Sequence, residues 1–374
     1  MSQANQSEDA DEQASAHSAP NSIQQSASSV RSVPSGPRLP ETAYAGMSTA
    51  IPRSLELEDV DSAMGGDGHA SSSQSMTSST MQYRIIHGRQ YHREVGEAQY
   101  WGAIDEQQRA SLDLIHHVLT LACRGKLVNA PLDRSAIRKV LDVGSGTGSW
   151  AMDFADENPH VEVIGTDLSP MQPFWVSPNL RFEIEDCTQD WTYGSNSFDY
   201  VHMRWLIGSI RDWPGLFEQA FRVCRPGGWV ESFEPSLTLT NDNRSISDHS
   251  AMGRWGKLFA EGGRRTGASF TVVEEGVQER AMRAAGFVDI GSFSFKCPIG
   301  NWPKEPRLKE MGRFAQLGLT SDVEGFILHT ALLLGWSKEE VDAYAVQLER
   351  ELLSGRHQPF HWQRVVWGRK PTAI

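Results

Sequence analysis

The residues best able to do chemistry are a glycine turn and one carboxylate. Residues 140–148 read Val-Leu-Asp-Val-Gly-Ser-Gly-Thr-Gly, and Asp167 closes a second apolar run that begins at Val161. A β-branched strand entering a glycine turn lets backbone N–H groups approach a ligand. The helix that opens at Ser149-Trp150 adds the positive end of its dipole. An acidic side chain about 20 positions on, at the tip of the next strand, can accept both hydroxyls of a ribose. The pair predicts a site for a nucleoside-bearing cofactor. A dinucleotide fingerprint would need its third glycine where this chain has Ser149, and the Lys-Ser/Thr of a phosphate-binding Walker loop is absent. A turn that merely closes a strand–helix unit would leave Asp167 unexplained.

Such residues need a sheet to hold them. Residues 180–185 alternate like a strand and run into Asp186-Cys187, and 198–203 read as the next strand, leading into Arg204-Trp205. A helix over about 214–224 and a strand over 227–234 follow. Strands alternating with helices imply right-handed crossovers and a parallel sheet, whose ligands bind at the carboxyl ends of the strands. Gly144, Asp167, Asp186 and Met203-Arg204 all fall on that edge. Before the glycine turn, apolar residues at Leu112, Ile115, Val118, Leu119 and Ala122 predict a helix over 105–124. Beyond the fifth strand, helices are predicted over 246–265 and 271–285, and strands over 287–297 and 361–369. The stretch 304–354 reads as mainly helical, its last helix bounded by Ser337 and Gly355.

Length and composition set the outer bounds. The chain has 374 residues, 39% of them hydrophobic, and all 12 Trp and 15 Phe lie after residue 100. Residues 1–80 are rich in Ser, Gln, Ala, Asp and Gly and cannot bury enough apolar surface to offset ordering entropy, so a disordered tail is expected there. That segment holds ten acidic and three basic residues of a chain with net charge −12, leaving −5 for the rest. A broad nucleic-acid-binding face is therefore not expected. The four cysteines, Cys123, Cys187, Cys224 and Cys297, form no C-x-x-C pair, which implies neither a zinc site nor a disulfide framework. Without a signal-peptide pattern or an apolar run of about 20 residues, a nuclear or cytoplasmic protein with no membrane span is expected.

The D-x-G-x-G-x-G run at 142–148 resembles motif I of the class I S-adenosylmethionine (SAM) methyltransferases. More specific matches are His87-Gly-Arg-Gln-Tyr-His92, Ile164-Gly-Thr-Asp-Leu-Ser-Pro-Met-Gln-Pro173, Val201-His-Met-Arg204, Gly208-Ser-Ile-Arg-Asp-Trp-Pro214 and Arg225-Pro-Gly-Gly-Trp-Val-Glu231. Over about 83–371 these resemble the LaeA-like methyltransferases of filamentous fungi. The family often has Gly-Cys-Gly where this chain has Gly-Ser-Gly, a change that backbone contacts tolerate. The resemblance implies a class I, Rossmann-like α/β fold: a mostly parallel seven-stranded sheet with helices on both faces. A methyltransferase domain over 81–374 would contain a SAM-binding core at about 138–235. Helical caps would span about 240–285 and 304–354, the latter a lid over the acceptor pocket. It implies that Asp142, Gly144, Ser145, Gly146, Gly148, Asp167, Leu168, Asp186, Cys187 and Met203 contact SAM, with Tyr83, Arg89 and Tyr91 closing over it. It also implies a role in secondary metabolism, either as a pathway enzyme or as a nuclear regulator with a velvet-type protein partner.

Other residues carry two readings each. His202 is either a general base or a histidine that hydrogen-bonds locally to shape a strand end. Arg204 either orients an anionic or carbonyl-bearing acceptor or pairs with Glu234 or Asp199. Trp150, Trp175, Trp191 and Trp205 either line the acceptor pocket or pack in core and rim. A non-catalytic scaffold with the same fold is the alternative function, against which the intact Asp142, glycine loop, Asp167 and Asp186 argue. Methyl transfer asks mainly for positioning, so the acceptor, small molecule or protein, is hidden at this level.

Overall fold

The computed structural model describes residues 83–93 and 100–372; the expected tail at 1–80 lies outside the described residues. The first described element is a hairpin, β1 (Tyr83–Ile86) and β2 (Arg89–His92). Its turn residues His87 and Gly88 both have positive φ, the conformation a two-residue hairpin turn needs to match strand twist. Helix α1 (Glu106–Ala122) follows, then β3 (Lys139–Val143), α2 (Ser149–Glu157), β4 (Glu162–Asp167), β5 (Leu180–Ile184), β6 (Phe198–Arg204), α3 (Trp213–Val223) and β7 (Cys224–Pro235). The C-terminal part holds α4 (Ala251–Thr266), α5 (Val277–Ala285), β8 (Val288–Pro298), α6 (Pro306–Ser321), α7 (Val323–Leu333), α8 (Lys338–Leu353) and β9 (Phe360–Arg369).

Seven strands form one sheet in the order β5-β4-β3-β6-β7-β9-β8. The pairs from β5 to β7 are parallel; β9 is antiparallel to both β7 and β8. This is the expected fold, with α6, α7 and α8 inserted between the closing strands. Both faces of the sheet are covered, which is why β3 and β4 read as continuous apolar runs rather than alternating ones. Trp150, Ala151, Phe154 and Ala155 of α2 pack with Val140, Val163 and Tyr200 on one face. Leu216, Phe217 and Ala220 of α3, with Ala281 and Met282 of α5, cover the other. The chain leaves β3 with β4 on one side and β6 on the other, so a crevice opens at the carboxyl end of β3.

Two helices start later than their sequence pattern suggests. Helix α4 begins at Ala251, where the Ser250 side chain accepts from Gly253 N–H, rather than near 246. Helix α5 begins after Gly276, whose positive φ sets its entry. The preceding Thr271-Val-Val turns instead, burying Val272.

One cation ties the hairpin to the helices above the crevice. Arg89 donates from Nε and Nη2 to Asp105 (2.6 and 2.8 Å), and from Nη1 and Nη2 to Asp322 (2.7 Å each). Asp105 also caps α1 by accepting from Gln108 N–H, and Asp322 caps α7 by accepting from Gly325 N–H. The guanidinium thus joins two helix N-termini. Burial works against its charge, but the hydrogen bonds to both carboxylates outweigh this and raise its pKa further. Side-chain exposure is 11% for Arg89 and 0% for Asp322, so removing the cation strands a buried carboxylate. Arg89→Met is expected to destabilise the fold by about 3–5 kcal/mol. Urea unfolding measures this, and a cost below about 1 kcal/mol would refute the role given to Arg89.

Candidate functional site

The crevice holds a cavity. Its floor is the glycine turn. Gly144, Gly146 and Gly148 have φ of 70°, 56° and 83°, a region that side chains disfavour. A Cβ on Gly144 would come within 2.4 Å of Leu206, and one on Gly148 within 2.5 Å of Phe182, whereas Gly146 faces open space. The first and third glycines therefore serve close packing, and the second leaves the turn's surface clear.

Four acidic side chains at strand ends organise the edge. Asp142 is buried, and its Oδ1 is 2.7 Å from Nδ1 of His202, its register neighbour on β6. Its Oδ2 is buried with no hydrogen-bond partner and Asp142 lines the cavity. Asp167 accepts from Gly146 N–H (2.8 Å) and Ser169 N–H (3.0 Å), which locks the turn against the end of β4. Burial pushes its carboxyl up to about 6, against the pull of those donors. Glu231 accepts from the backbone N–H groups of Asn129 and Ala130 and from the Asn129 amide. Glu234 accepts from Leu206 and Ile207 N–H at 3.1 and 3.0 Å, and burial pushes it up to about 8. The turn it grips begins at Trp205, whose φ of 60° is strained for a bulky residue. Trp205 lines the cavity beside Arg204.

Of the residues expected to contact the cofactor, Asp142, Gly144, Ser145, Gly146, Asp167, Leu168 and Cys187 line this cavity. Gly148 sits behind the loop, against Phe182. Met203 is fully buried in the core. Asp186 folds back on its own loop, accepting from Thr188 N–H and Oγ1, and its neighbour Glu185 lines the cavity instead. The hairpin residues are placed elsewhere. Tyr83 is 53% exposed, Arg89 serves the two helix caps, and Tyr91 is fully buried against His329. The wall above the turn comes from Tyr100 and Trp101, from Leu112, Ile115, His116 and Leu119 of α1, and from Phe326 of α7.

The residues with two readings have definite partners. His202 is buried, stacks on Trp150 at 3.8 Å and 9°, hydrogen-bonds to Asp142 and lines the cavity. Arg204 pairs with neither Glu234 nor Asp199. Glu234 is taken by backbone N–H groups and Asp199 by Arg225 and the backbone of Arg138 and Lys139. Arg204 instead donates to His116 Nδ1 (3.0 Å), so the ring's proton sits on Nε2, which reaches Asp153 at 2.8 Å. Burial lowers the pKa of both Arg204 and His116. The Asp153–His116–Arg204 chain was not anticipated. Its one signal is that position 116 falls on the apolar stripe of α1, four residues from Leu112, where a polar side chain needs a buried partner. Trp150 and Trp205 line the cavity, Trp191 packs in the core, and Trp175 is 94% exposed.

A second, more apolar cavity of about 600 Å³ abuts the first. Trp101, Ile115, Leu119, Trp205 and Phe326 line both, so the two adjoin.

Among the described residues no group of three or more metal-ligating side chains gathers and no helix is long and apolar enough to cross a membrane. Residues 114–290 match the family model described as a methyltransferase domain. The chain is 39% identical over 277 residues to the methyltransferase pytC of Aspergillus terreus, covering 72% of this chain and 83% of that protein. It is 34% identical to the secondary metabolism regulator LAE1 of Cochliobolus heterostrophus, covering 63% of this chain and 78% of that one. Identity to the probable methyltransferase tdiE of Emericella nidulans is 30%, over 70% and 81% of the two chains.

Glu234 offers a pH signature. Its folded pKa of about 8 lies above the ordinary 4.5, so the fold favours the protonated acid. The stability this group contributes is present below about 4.5 and is lost as pH rises through 8. Glu234→Gln, an isostere of the protonated form, is expected to gain on the wild type in thermal stability between pH 5 and 8.5. A constant difference in melting temperature across that range would contradict the assignment.

Proposed function

Because the chain belongs to the LaeA-like, SAM-dependent methyltransferases of fungal secondary metabolism, we propose that the larger cavity is its SAM site and that the acceptor is a small molecule. The residues present fit the cofactor. Asp142 Oδ2, buried, partnerless and on the cavity wall, suits an ammonium donor such as the amino group of the methionine end. The open surface at Gly146 leaves room beside that end. Asp167 retains lone pairs for the ribose hydroxyls, while Leu168, Glu185 and Cys187 flank the position of the base.

Bound SAM supplies a methyl group already activated by a sulfonium, so the work left to the protein is orientation and exclusion of water. Trp101, Trp205 and Phe326 perform the exclusion, closing the cavity from above and beside the turn. Glu234 holds the Trp205 turn in place through Leu206 and Ile207 N–H, so the strained residue faces the cavity reproducibly. Arg204, fixed by His116, sets a cationic group at the wall. His202 acts as a positioning residue for Asp142.

The observation that carries the small-molecule reading is the second cavity, lined by buried aromatic and aliphatic side chains and adjoining the first. A regulatory reading draws support from the similarity to LAE1, and with it come a nuclear location, a velvet-type partner and a protein acceptor. The two readings separate by product. Labelled SAM incubated with extracted fungal metabolites is expected to transfer label to small molecules. Label entering protein alone would overturn the small-molecule reading.

The cofactor site is tested by Asp167. Asp167→Ala is expected to weaken binding of S-adenosylhomocysteine, the demethylated product, by about 1–3 kcal/mol in calorimetry, since the ribose donors lose their acceptor. Wild-type affinity is expected to fall as pH drops through about 6, because hydroxyls donate best to an ionised carboxylate. Folding stability runs the opposite way for this group: its raised pKa contributes stability at low pH that is lost above about 6. Unchanged affinity in Asp167→Ala, or a pH-independent wild type, would refute the ribose role.

A further inference from the structure

The second cavity is mostly apolar; its polar side chains gather at one end, apart from the unpartnered indole N–H of Trp205 on the side it shares with the first. Leu237, Leu239, Trp255, Phe259, Ile299 and Ala315 are among its walls, and the polar end is formed by His361 and Gln363 of β9. These two residues are two apart on one strand and so share a face of the sheet. In register they sit beside Cys297 and Phe295 of β8, and Gln363 lies opposite Pro235, the last residue of β7. The polar end therefore lies at the same carboxyl edge as the glycine turn.

The hydrogen-bond pattern fixes which atoms are available. His361 Nδ1 lies 3.0 Å from the Ser236 carbonyl, an acceptor only, so Nδ1 carries the proton. Burial pushes the ring down to about 4, which keeps it neutral, and Nε2 is then an acceptor. Gln363 Nε2 approaches that atom at 3.4 Å, which turns the amide nitrogen toward the histidine. Gln363 Oε1 is left buried without a partner in a residue that is 0% exposed. A buried amide oxygen in an otherwise apolar enclosure calls for a donor. The Cys297 thiol is a weak one, pushed up to about 12 by burial.

We propose that this cavity is the acceptor site, and that it selects a compact apolar ring compound bearing one O–H or N–H group that donates to Gln363 Oε1. Gln363 is a specificity-determining residue, and His361 positions its amide. The assignment rests on the methyltransferase reading of the larger cavity and deepens it by naming the acceptor's chemistry. A folded protein surface or an extended peptide does not fit an enclosure of this kind, whereas a phenol or an indole-type N–H does.

The test uses two matched probes, 2-naphthol and 2-methoxynaphthalene, which differ in the hydrogen-bond donor. Binding of each to the full chain is measured by equilibrium dialysis with S-adenosylhomocysteine present. The wild type is expected to prefer 2-naphthol at least fivefold. Gln363→Leu is expected to bring the two probes within about twofold of each other, while melting temperature and S-adenosylhomocysteine affinity stay close to wild type. Ala315→Phe, which fills the cavity from α6 without touching the polar end, is expected to weaken both probes at least fivefold. No preference in the wild type, no binding of either probe, or a preference that survives Gln363→Leu in folded protein would overturn the proposal. Loss of S-adenosylhomocysteine binding alone, with the naphthol preference intact, would instead count against the cofactor site.

Discussion

The architecture above the sheet hangs on one buried guanidinium. Arg89 spends all of its fork on Asp105 and Asp322, and those carboxylates are also the N-caps of α1 and α7. Each helix brings part of the lining that the two cavities share: Ile115 and Leu119 from α1, Phe326 from α7. A charge in this setting is favourable only because geometry is bidentate on both sides and the carboxylates have backbone donors of their own. The hairpin is therefore a fastening rather than a wall. Its short register, Tyr83 to His92 through Ile86 to Arg89, delivers the guanidinium to a point between elements more than 200 residues apart in the chain.

The sheet edge beneath repeats one device. Asp142, Asp167, Glu231 and Glu234 all sit at or near carboxyl ends of parallel strands; Asp167 and Glu234 hold backbone N–H groups of the loops that follow neighbouring strands, and Glu231 holds those of the segment leading into β3. Loops at this edge must stay open to a ligand, so they cannot satisfy their N–H groups by pairing with each other. Carboxylates do it for them, and burial raises Asp167 and Glu234 as a consequence. Asp142 differs: half of it orients His202 and the other half faces the cavity without a partner.

On the proposed assignment the two cavities take cofactor and acceptor, and they are built by different means. The larger is floored by one contiguous turn and the strand ends beside it. The smaller has walls drawn from α1, α4, α6, α7, β8, β9 and the segment after β7. Substitutions in those later elements can reshape the acceptor enclosure without touching the glycine turn, which is how one fold accommodates different acceptors.

The chain by itself determined the sheet, its switch point and the cofactor edge. Asp142, Gly144, Gly146 and Asp167 are adjacent to strand ends in sequence, so local chain geometry places them wherever the sheet forms. The helices over 105–124 and 304–354 were legible from apolar period and caps. Tyr83, Arg89 and Tyr91 were not legible, because a basic and aromatic segment reads the same whether it covers a ligand or clamps two caps. The reading that paired Arg204 with Glu234 or Asp199 failed because backbone N–H groups hold Glu234, Arg225 and backbone N–H groups hold Asp199, and His116 reaches Arg204 from α1. Asp186 and Glu185 exchanged places at the wall because an Asx-type turn with Thr188 rotates one inward on its loop. Tertiary structure alone decided the second cavity and its single polar end. No local pattern marks His361 or Gln363; what singles them out is a hydrogen-bond inventory that closes at Ser236 and leaves one buried oxygen over. Such an excess exists only once distant segments have taken water away from it.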